Sequence, residues 1–463
     1  MIFFGMKQLT RHVEIKGELP SEASILKQTI QIAWPSIVES FLICLVGMID
    51  TMMVGILGPV AIAAVGLTTQ PKFIGLAIFM SLCVAISAIV AHRRGEKDAE
   101  SARRVLVQSL VIVILLAVII SAVSVIFAEP IMRLAGAQDD THADAALYFR
   151  IIMGGMLFNV ISMTINAAQR GAGNTRIAMR TNMVSNAVNV VFNYLLIGGN
   201  FGFPRLGVMG AAIATVLGSI VACGMSIASV CKKDTFLSLR GFHHMSFDRA
   251  TLWSLFNIGS STLAEQVFLR IGFLMYAIII AKLGTIEFAT HQIGMNIMSL
   301  SFSLGDGLST ASVALVGRSL GERRPDLARI YARVCQRIGV IFSLIMAVLF
   351  TLLGRFMFAL FTDDAQVLTY GVVLMRLMAV IVFFQIPQVI FSGCLRGSGD
   401  TKYTAFVSLV SVALVRPGMG WLFCYPLGLG LIGAWIGFLI DQIARCVLTW
   451  ARFRGGKWMS HRV

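Results

Sequence analysis

The chain has 463 residues, of which 57% are hydrophobic and only 13% charged, and its mean hydropathy is +0.83. A soluble domain carries about 25% charged residues because its outside must meet water, so this composition excludes an ordinary globular enzyme and points to a bilayer as solvent. The formal charge of +15 invites a nucleic-acid partner, but its placement along the chain answers to membrane topology instead.

Residues 1–30 hold Lys7, Arg11, Lys16 and Lys27 and no long apolar core ahead of a cleavage site, so they read as a cytoplasmic segment and not as a removable signal. Six apolar spans follow, near 31–54, 61–91, 105–128, 144–167, 180–198 and 207–230. The run 109–128 has twenty residues without a charge, about what a helix needs to cross ~30 Å of hydrocarbon. Lipid offers the backbone no hydrogen bonds, so such spans are helices and not open strands. Residues 232–251, with Gly241 and His243-His244, form a polar linker. Six more spans lie near 253–281, 288–316, 334–356, 368–393, 404–423 and 431–450, and a basic tail occupies 451–463. Lys and Arg crowd alternate loops, for example Arg93, Arg94, Lys97, Arg103 and Arg104, then Arg170, Arg176 and Arg180, then Lys232 and Lys233, then Arg318, Arg323 and Arg324. The intervening loops are neutral or acidic, as at Asp139-Asp140 and Asp363-Asp364. This positive-inside pattern predicts cytoplasmic termini and an even number of spans.

The two halves are copies. At a constant offset of 226, Leu57-Gly58 meets Leu283-Gly284, Gly95-Glu96 meets Gly321-Glu322, Arg150 meets Arg376, and Arg170-Gly-Ala-Gly-Asn-Thr-Arg176 meets Arg396-Gly-Ser-Gly-Asp-Thr-Lys402. The offset then slips by three, since Gly207, Gly210 and Ala211 meet Gly430, Gly433 and Ala434. The slip is expected in the outer loop before the last span of each half. Six spans per half make the repeat parallel, about an axis along the membrane normal. The expected fold is all-α and integral to the membrane, with twelve transmembrane helices in two six-helix lobes, 31–231 and 252–450. Two such bundles meeting on an axis suggest alternating access, by analogy from fold to function. The RGxGxT segments lack the Walker spacing and read as tight cytoplasmic turns, with Asn174 or Asp400 helping to start the next helix.

Several of these stretches resemble the MATE family of multidrug and toxic compound extrusion transporters. They are Val46-Gly-Met-Ile-Asp-Thr-Met-Met-Val-Gly55 followed by Leu57-Gly58, then Gln169-Arg-Gly-Ala-Gly-Asn-Thr175, Leu395-Arg-Gly-Ser-Gly-Asp-Thr401, Ala289-Thr-His-Gln-Ile293 and Gly317-Arg-Ser-Leu-Gly321. The resemblance covers nearly the whole chain after residue 25. It implies two six-helix lobes and export of cationic or amphipathic organic compounds driven by Na⁺ or H⁺, in a bacterial inner membrane. It also implies a cation site in the first lobe, built from a carboxylate on the first helix, two Asn/Asp side chains on the fifth and a Thr on the sixth. Asp50, Asn189, Asn193 and Thr215 match that set.

The residues support this independently. A charge in mid-span is costly and usually functional. Asn189 and Asn193, spaced i, i+4, share a helical face, and a carboxylate with neutral oxygens suits Na⁺ or, on protonation, H⁺. The competing reading is an Asp hydrogen-bonded to Asn for packing. The second half holds Tyr276, Val415 and Met419 at the matching places, which argues for one asymmetric site. Glu39 and Glu265 are repeat mates and, with Gln385, are the candidates for a substrate cleft; the alternative is a structural hydrogen bond repeated by duplication. Arg150, Arg376, Arg270 and Arg416 are expected in structural pairs, and Asp441 in an i, i+4 pair with Arg445.

The eight cysteines form no CxxC pair and the histidines no HExxH, so no metal, no other cofactor and no enzyme activity are expected. The expected partners are a small organic substrate and membrane lipid, with no nucleic acid, and the protein is expected to act as a monomer. Two other functions are weighed. A lipid-linked precursor flippase of the wider superfamily wants a cationic cleft, whereas the inward candidates here are acidic. A membrane prenyl or lipid transferase would need an acidic or His cluster in its loops, where only isolated acids stand.

Overall fold

The computed structural model describes residues 6–11, 13–139, 141–232, 235–240, 248–362 and 364–460. Asp140, Asp363, Arg462 and the linker residues Lys233, Gly241 and His243-His244 lie outside them. Every regular element among the described residues is helical. In chain order these are α1 (Met6–Leu9), α2 (Glu22–Gly55), α3 (Pro59–Gly95), α4 (Ala99–Ile126), α5 (Ala128–Leu134), α6 (His142–Gly154), α7 (Met156–Gly171), α8 (Thr175–Gly198), α9 (Gly207–Cys231), α10 (Arg249–Ala281), α11 (Thr285–Gly321), α12 (Pro325–Ala359), α13 (Ala365–Gly397), α14 (Thr401–Ser408), α15 (Arg416–Cys424) and α16 (Gly430–Arg454). A π-helical stretch, Leu409–Val415, joins α14 to α15. It lies just before Pro417, whose ring cannot continue the regular ladder.

Among the described residues, nine helices are long and apolar enough to cross a membrane, and the pair α6–α7, bent by 47°, makes a tenth if it is one span. The bend falls at Gly154-Gly155. A Cβ on Gly155 would lie 2.5 Å from Val216 of α9, so the glycine lets the bent pair close on its neighbour. The chain is a multi-pass membrane protein.

Chain contacts gather into two compact units. One is Met1–Ser40 with Ser260–Val463; the other is Phe41–Gly259. In the first, Phe350, Phe358, Met378, Trp435 and Phe438 are among the side chains of one buried core. In the second, Phe79, Val113, Phe149, Met153 and Val160 build one cluster, and Val54, Tyr148, Val208 and Ala212 build another that reaches the ion-site candidates.

The repeat is written in the backbone. Left-handed φ recurs at offset 226 at Gly58 and Gly284, Lys97 and Arg323, Gly173 and Gly399, and Gly202 and Gly428. It then recurs at Gly207 and Gly430, which confines the three-residue slip to the loop between Gly202 and Gly207. Close crossings repeat as well. A Cβ on Gly171 would meet the Ser87 carbonyl at 2.4 Å, and one on its mate Gly397 the Val313 carbonyl at 2.7 Å.

Asn174 and Asp400 stand at the N-cap positions of α8 and α14, yet neither side chain makes a capping bond. Asp400 instead accepts from Arg452 Nε at 2.7 Å. The turns they occupy are made by Gly173 and Gly399, at φ +82° and +85°, conformations that cost glycine nothing.

Candidate functional site

Asp50 lies on α2, Asn189 and Asn193 on α8, and Thr215 on α9, all within the unit Phe41–Gly259. α8 packs along α9 through small residues. A Cβ on Gly218 would touch the Ser185 carbonyl at 2.9 Å, and Ser185 Oγ donates to the Gly218 carbonyl at 2.8 Å. That close approach sets Asn189 beside Thr215.

The four side chains form one network. Asn193 Nδ2 donates to Asp50 Oδ1 at 2.8 Å. Asn193 Oδ1 is buried and has no donor. The Asn189 amide has one end 2.8 Å from Asp50 Oδ1 and the other 3.1 Å from Thr215 Oγ1. With its nitrogen toward the carboxylate, it donates to Oδ1 at 2.8 Å and Oδ2 at 3.2 Å, and its oxygen accepts from Thr215 Oγ1 at 3.1 Å and Thr215 N at 3.3 Å. With its oxygen toward the carboxylate, two acceptors face each other at 2.8 Å, and Asn193 Nδ2 donates to Asn189 Oδ1 at 3.4 Å. Such an oxygen pair is stable only with a proton or cation between the two atoms.

A cavity of about 250 Å³ opens on this network. Its lining includes Asp50, Thr51, Lys72, Tyr148, Asn193 and Thr215. Lys72 on α3 and Tyr148 on α6 were not singled out from sequence. Lys72 carried a signal all the same, an isolated charge inside an apolar span; Tyr148 carried none. The donor set offers one carboxylate with amide and hydroxyl oxygens, which suits a hard monovalent cation or a proton. No group of three His, Cys, Asp or Glu side chains gathers to hold a metal among the described residues.

The substrate-cleft candidates stand elsewhere. Glu39 is buried on α2. Glu265 on α10 is 1% exposed and accepts from Arg396 Nη2 at 2.5 Å and from Thr404 Oγ1 at 2.9 Å. Gln385 on α13 is fully buried; its Oε1 accepts from Ser301 Oγ at 2.9 Å, and its Nε2 has no acceptor.

At the repeat-equivalent place in the other unit the chemistry differs. Tyr276 replaces Asp50, Val415 and Met419 replace the asparagines, and Phe438 stands where the three-residue slip maps Thr215. Beside them the Arg416 guanidinium, 0% exposed, bonds Asp441 Oδ2 at 2.6 and 3.1 Å and stacks on Phe273 and Phe438, each ring centre 4.5 Å away. Asp441 is thus paired with Arg416 across two helices and does not make the salt bridge with Arg445 that its helical spacing had suggested. Arg150 pairs with Glu129 at 2.8 Å.

The MatE family model matches twice, at residues 35–195 and 262–422, so each half carries a copy. A probable multidrug resistance protein NorM of Thermotoga maritima is 28% identical over 455 residues, spanning 98% of both chains. The multidrug resistance protein MdtK of Edwardsiella ictaluri is 28% identical over 450 residues, spanning 94% of this chain and 96% of that one. Among solved structures, the outward-facing conformation of a multidrug resistance MATE family transporter of the MOP superfamily aligns with a TM-score of 0.87 at 23% identity, over 95% of this chain and 98% of that one. That likeness carries the fold. The doubled match, spanning more than two thirds of the residues, settles the family: the chain belongs to the MatE family of membrane transporters, which are not enzymes.

Proposed function

We propose that this protein is a secondary active antiporter that exports cationic or amphipathic organic compounds in exchange for Na⁺ or H⁺. The observation that carries this reading is the Asn189 amide, poised with one end on the Asp50 carboxylate and the other on Thr215. An ionised, empty Asp50 accepts from the amide nitrogen. A protonated Asp50 donates to the amide oxygen instead, and a cation would take both oxygens together with the undonated Asn193 Oδ1. A half-turn of one amide thus follows the occupancy of the carboxylate. One charge moving down ~100 mV releases about 2.3 kcal/mol, which supports a roughly fortyfold gradient of a neutral substrate.

The architecture proposed is twelve spans in two six-helix lobes, 31–231 and 252–450, joined by a cytoplasmic linker. The nine apolar helices and the bent pair are completed by α8 and α11. These two are too polar to pass on hydropathy, but at 24 and 37 residues they rise about 36 and 55 Å. α8 is polar because it carries the site. The lobes alternate access to the two sides, and ion and substrate must each favour a different state, because equal affinity shifts nothing. Glu39, Glu265 and Gln385 are the polar groups assigned to the substrate. To serve, Glu265 must exchange its Arg396 and Thr404 partners for a cationic ligand, and Gln385 has a free donor to offer. The protein works as a monomer in a bacterial inner membrane with both termini in the cytoplasm.

The test is efflux of a cationic dye from proteoliposomes under an imposed Na⁺ or H⁺ gradient. The Asp50→Asn protein is expected to insert and to lose gradient-driven efflux. Unchanged efflux in that variant removes the site, and no response of the wild type to either gradient removes the antiporter.

A further inference from the structure

The cavity that exposes Asp50 has three titratable side chains in its lining: Asp50, Lys72 and Tyr148. Lys72 is thus a second full charge in the same 250 Å³. No direct ion pair joins it to Asp50 among the described residues, yet the two interact electrostatically. Its Nζ lies 5.8 Å from the centre of the Phe73 ring, at the outer edge of a cation–π contact. The ammonium rides on a flexible four-carbon stem. It follows Pro71, which lies inside α3 and removes one rung of the helical ladder there.

The repeat makes the pairing specific. Asp50 maps onto Tyr276 and Lys72 onto Met298. Met298 is fully buried in an apolar core. Both charges occur in the half that carries the ion-site candidates, and both are absent from the equivalent places of the other half. A lysine retained for packing alone has no reason to follow the carboxylate in this way.

We propose that Lys72 is a tethered competitor for the coupling cation at Asp50. With no cation in the cavity, the ammonium supplies the counter-charge to the carboxylate, so that the empty site is neutral. With a cation bound, two positive charges face one negative charge, and the cation is held more loosely than Asp50, Asn193 and Thr215 would otherwise hold it. The lysine therefore sets the affinity of the site and favours release. It is a positioning residue that acts on the ion through charge. This inference rests on the assignment of Asp50 as the cation site.

The experiment is equilibrium binding of radioactive Na⁺ to the purified full-length protein near neutral pH, so that the lysine is not neutralised by added base. The proteins compared are wild type, Lys72→Met, Lys72→Gln, Lys72→Arg and the double variant Asp50→Asn/Lys72→Met. Removing the ammonium is expected to tighten Na⁺ binding about tenfold or more, the scale set by a like charge ~10 Å away at an effective dielectric of ~20. Lys72→Arg keeps the charge and is expected to bind as the wild type does. The double variant is expected to lose the site. No gain in Lys72→Met and Lys72→Gln, whether or not the wild type binds measurably, overturns the competitor. The same gain in Lys72→Arg overturns it too, because side-chain shape would then be the cause. Retained binding in the double variant overturns instead the assignment of Asp50, a separate failure with a separate readout.

Discussion

Arg416 and Asp441 are both fully buried, and each is the other's principal partner. Removing a charge from such a pair strands the other in a medium that cannot solvate it, which costs about 3–5 kcal/mol, whereas replacing both with apolar groups of similar volume is often neutral or better. Arg416→Met is therefore expected to lower the melting temperature sharply in detergent. Arg416→Met with Asp441→Leu is expected to recover most of the loss, since the aromatic walls of Phe273 and Phe438 accept a methionine. Additive losses in the double variant would mean that the pair is not the unit. Helical spacing offered Arg445 as the partner of Asp441; side-chain pairs across helices leave no periodic trace, and the partner lies 25 residues back in the chain. Lys72 escaped for a different reason. A lone base in an apolar span carries the same physical signal as a lone acid but belongs to no motif of the cation set.

The helices themselves were legible because twenty apolar residues have few other solutions in lipid. Their ends were less so. α3 and α11 each stop at a glycine, and two residues later the chain turns left-handed at Lys97, φ +61°, and at Arg323, φ +56°. These are repeat mates, so duplication has kept a costly conformation in both copies. An L residue there pays roughly 1–2 kcal/mol in Cβ strain that glycine does not, less the extra entropy glycine loses on folding. Lys97→Gly and Arg323→Gly are each expected to raise stability by up to about 1 kcal/mol, read as a rise in melting temperature with unchanged efflux. A fall in both would mean that their side-chain contacts outweigh the backbone term. The same element scale explains α8. Its asparagines defeat a hydropathy test, yet their i, i+4 spacing is the clearest local mark of the site.

At the scale of the whole chain, one duplicated scaffold carries two unlike interiors. The family model matches both halves, the left-handed turns recur in register, and the glycine crossings recur with them. The turns at Gly58, Gly173 and Gly207 and their mates were visible in the spacing of motifs, because backbone turns constrain residue type directly; those at Lys97 and Gly202, and the glycine crossings, were not. The interiors were visible only as a mismatch, Asp50 against Tyr276, whose meaning needed the neighbours. Tyr276 packs edge-on to His291 at 5.4 Å and beside Phe438 at 6.3 Å, and its hydroxyl is buried without a partner. A buried hydroxyl with no partner contributes nothing to stability and costs about 1–3 kcal/mol in lost hydration. If ion coupling belongs to the first half alone, Tyr276→Phe is expected to keep gradient-driven dye efflux within about twofold, a change of less than ~0.5 kcal/mol, and to melt no lower than the wild type. Asp50→Asn in the same preparation is expected to lose that efflux. The comparison is informative because the two substitutions occupy one repeat position. Loss of coupling in Tyr276→Phe at unchanged stability would place a working group in the second half and refute the asymmetric scheme, whatever Asp50→Asn does.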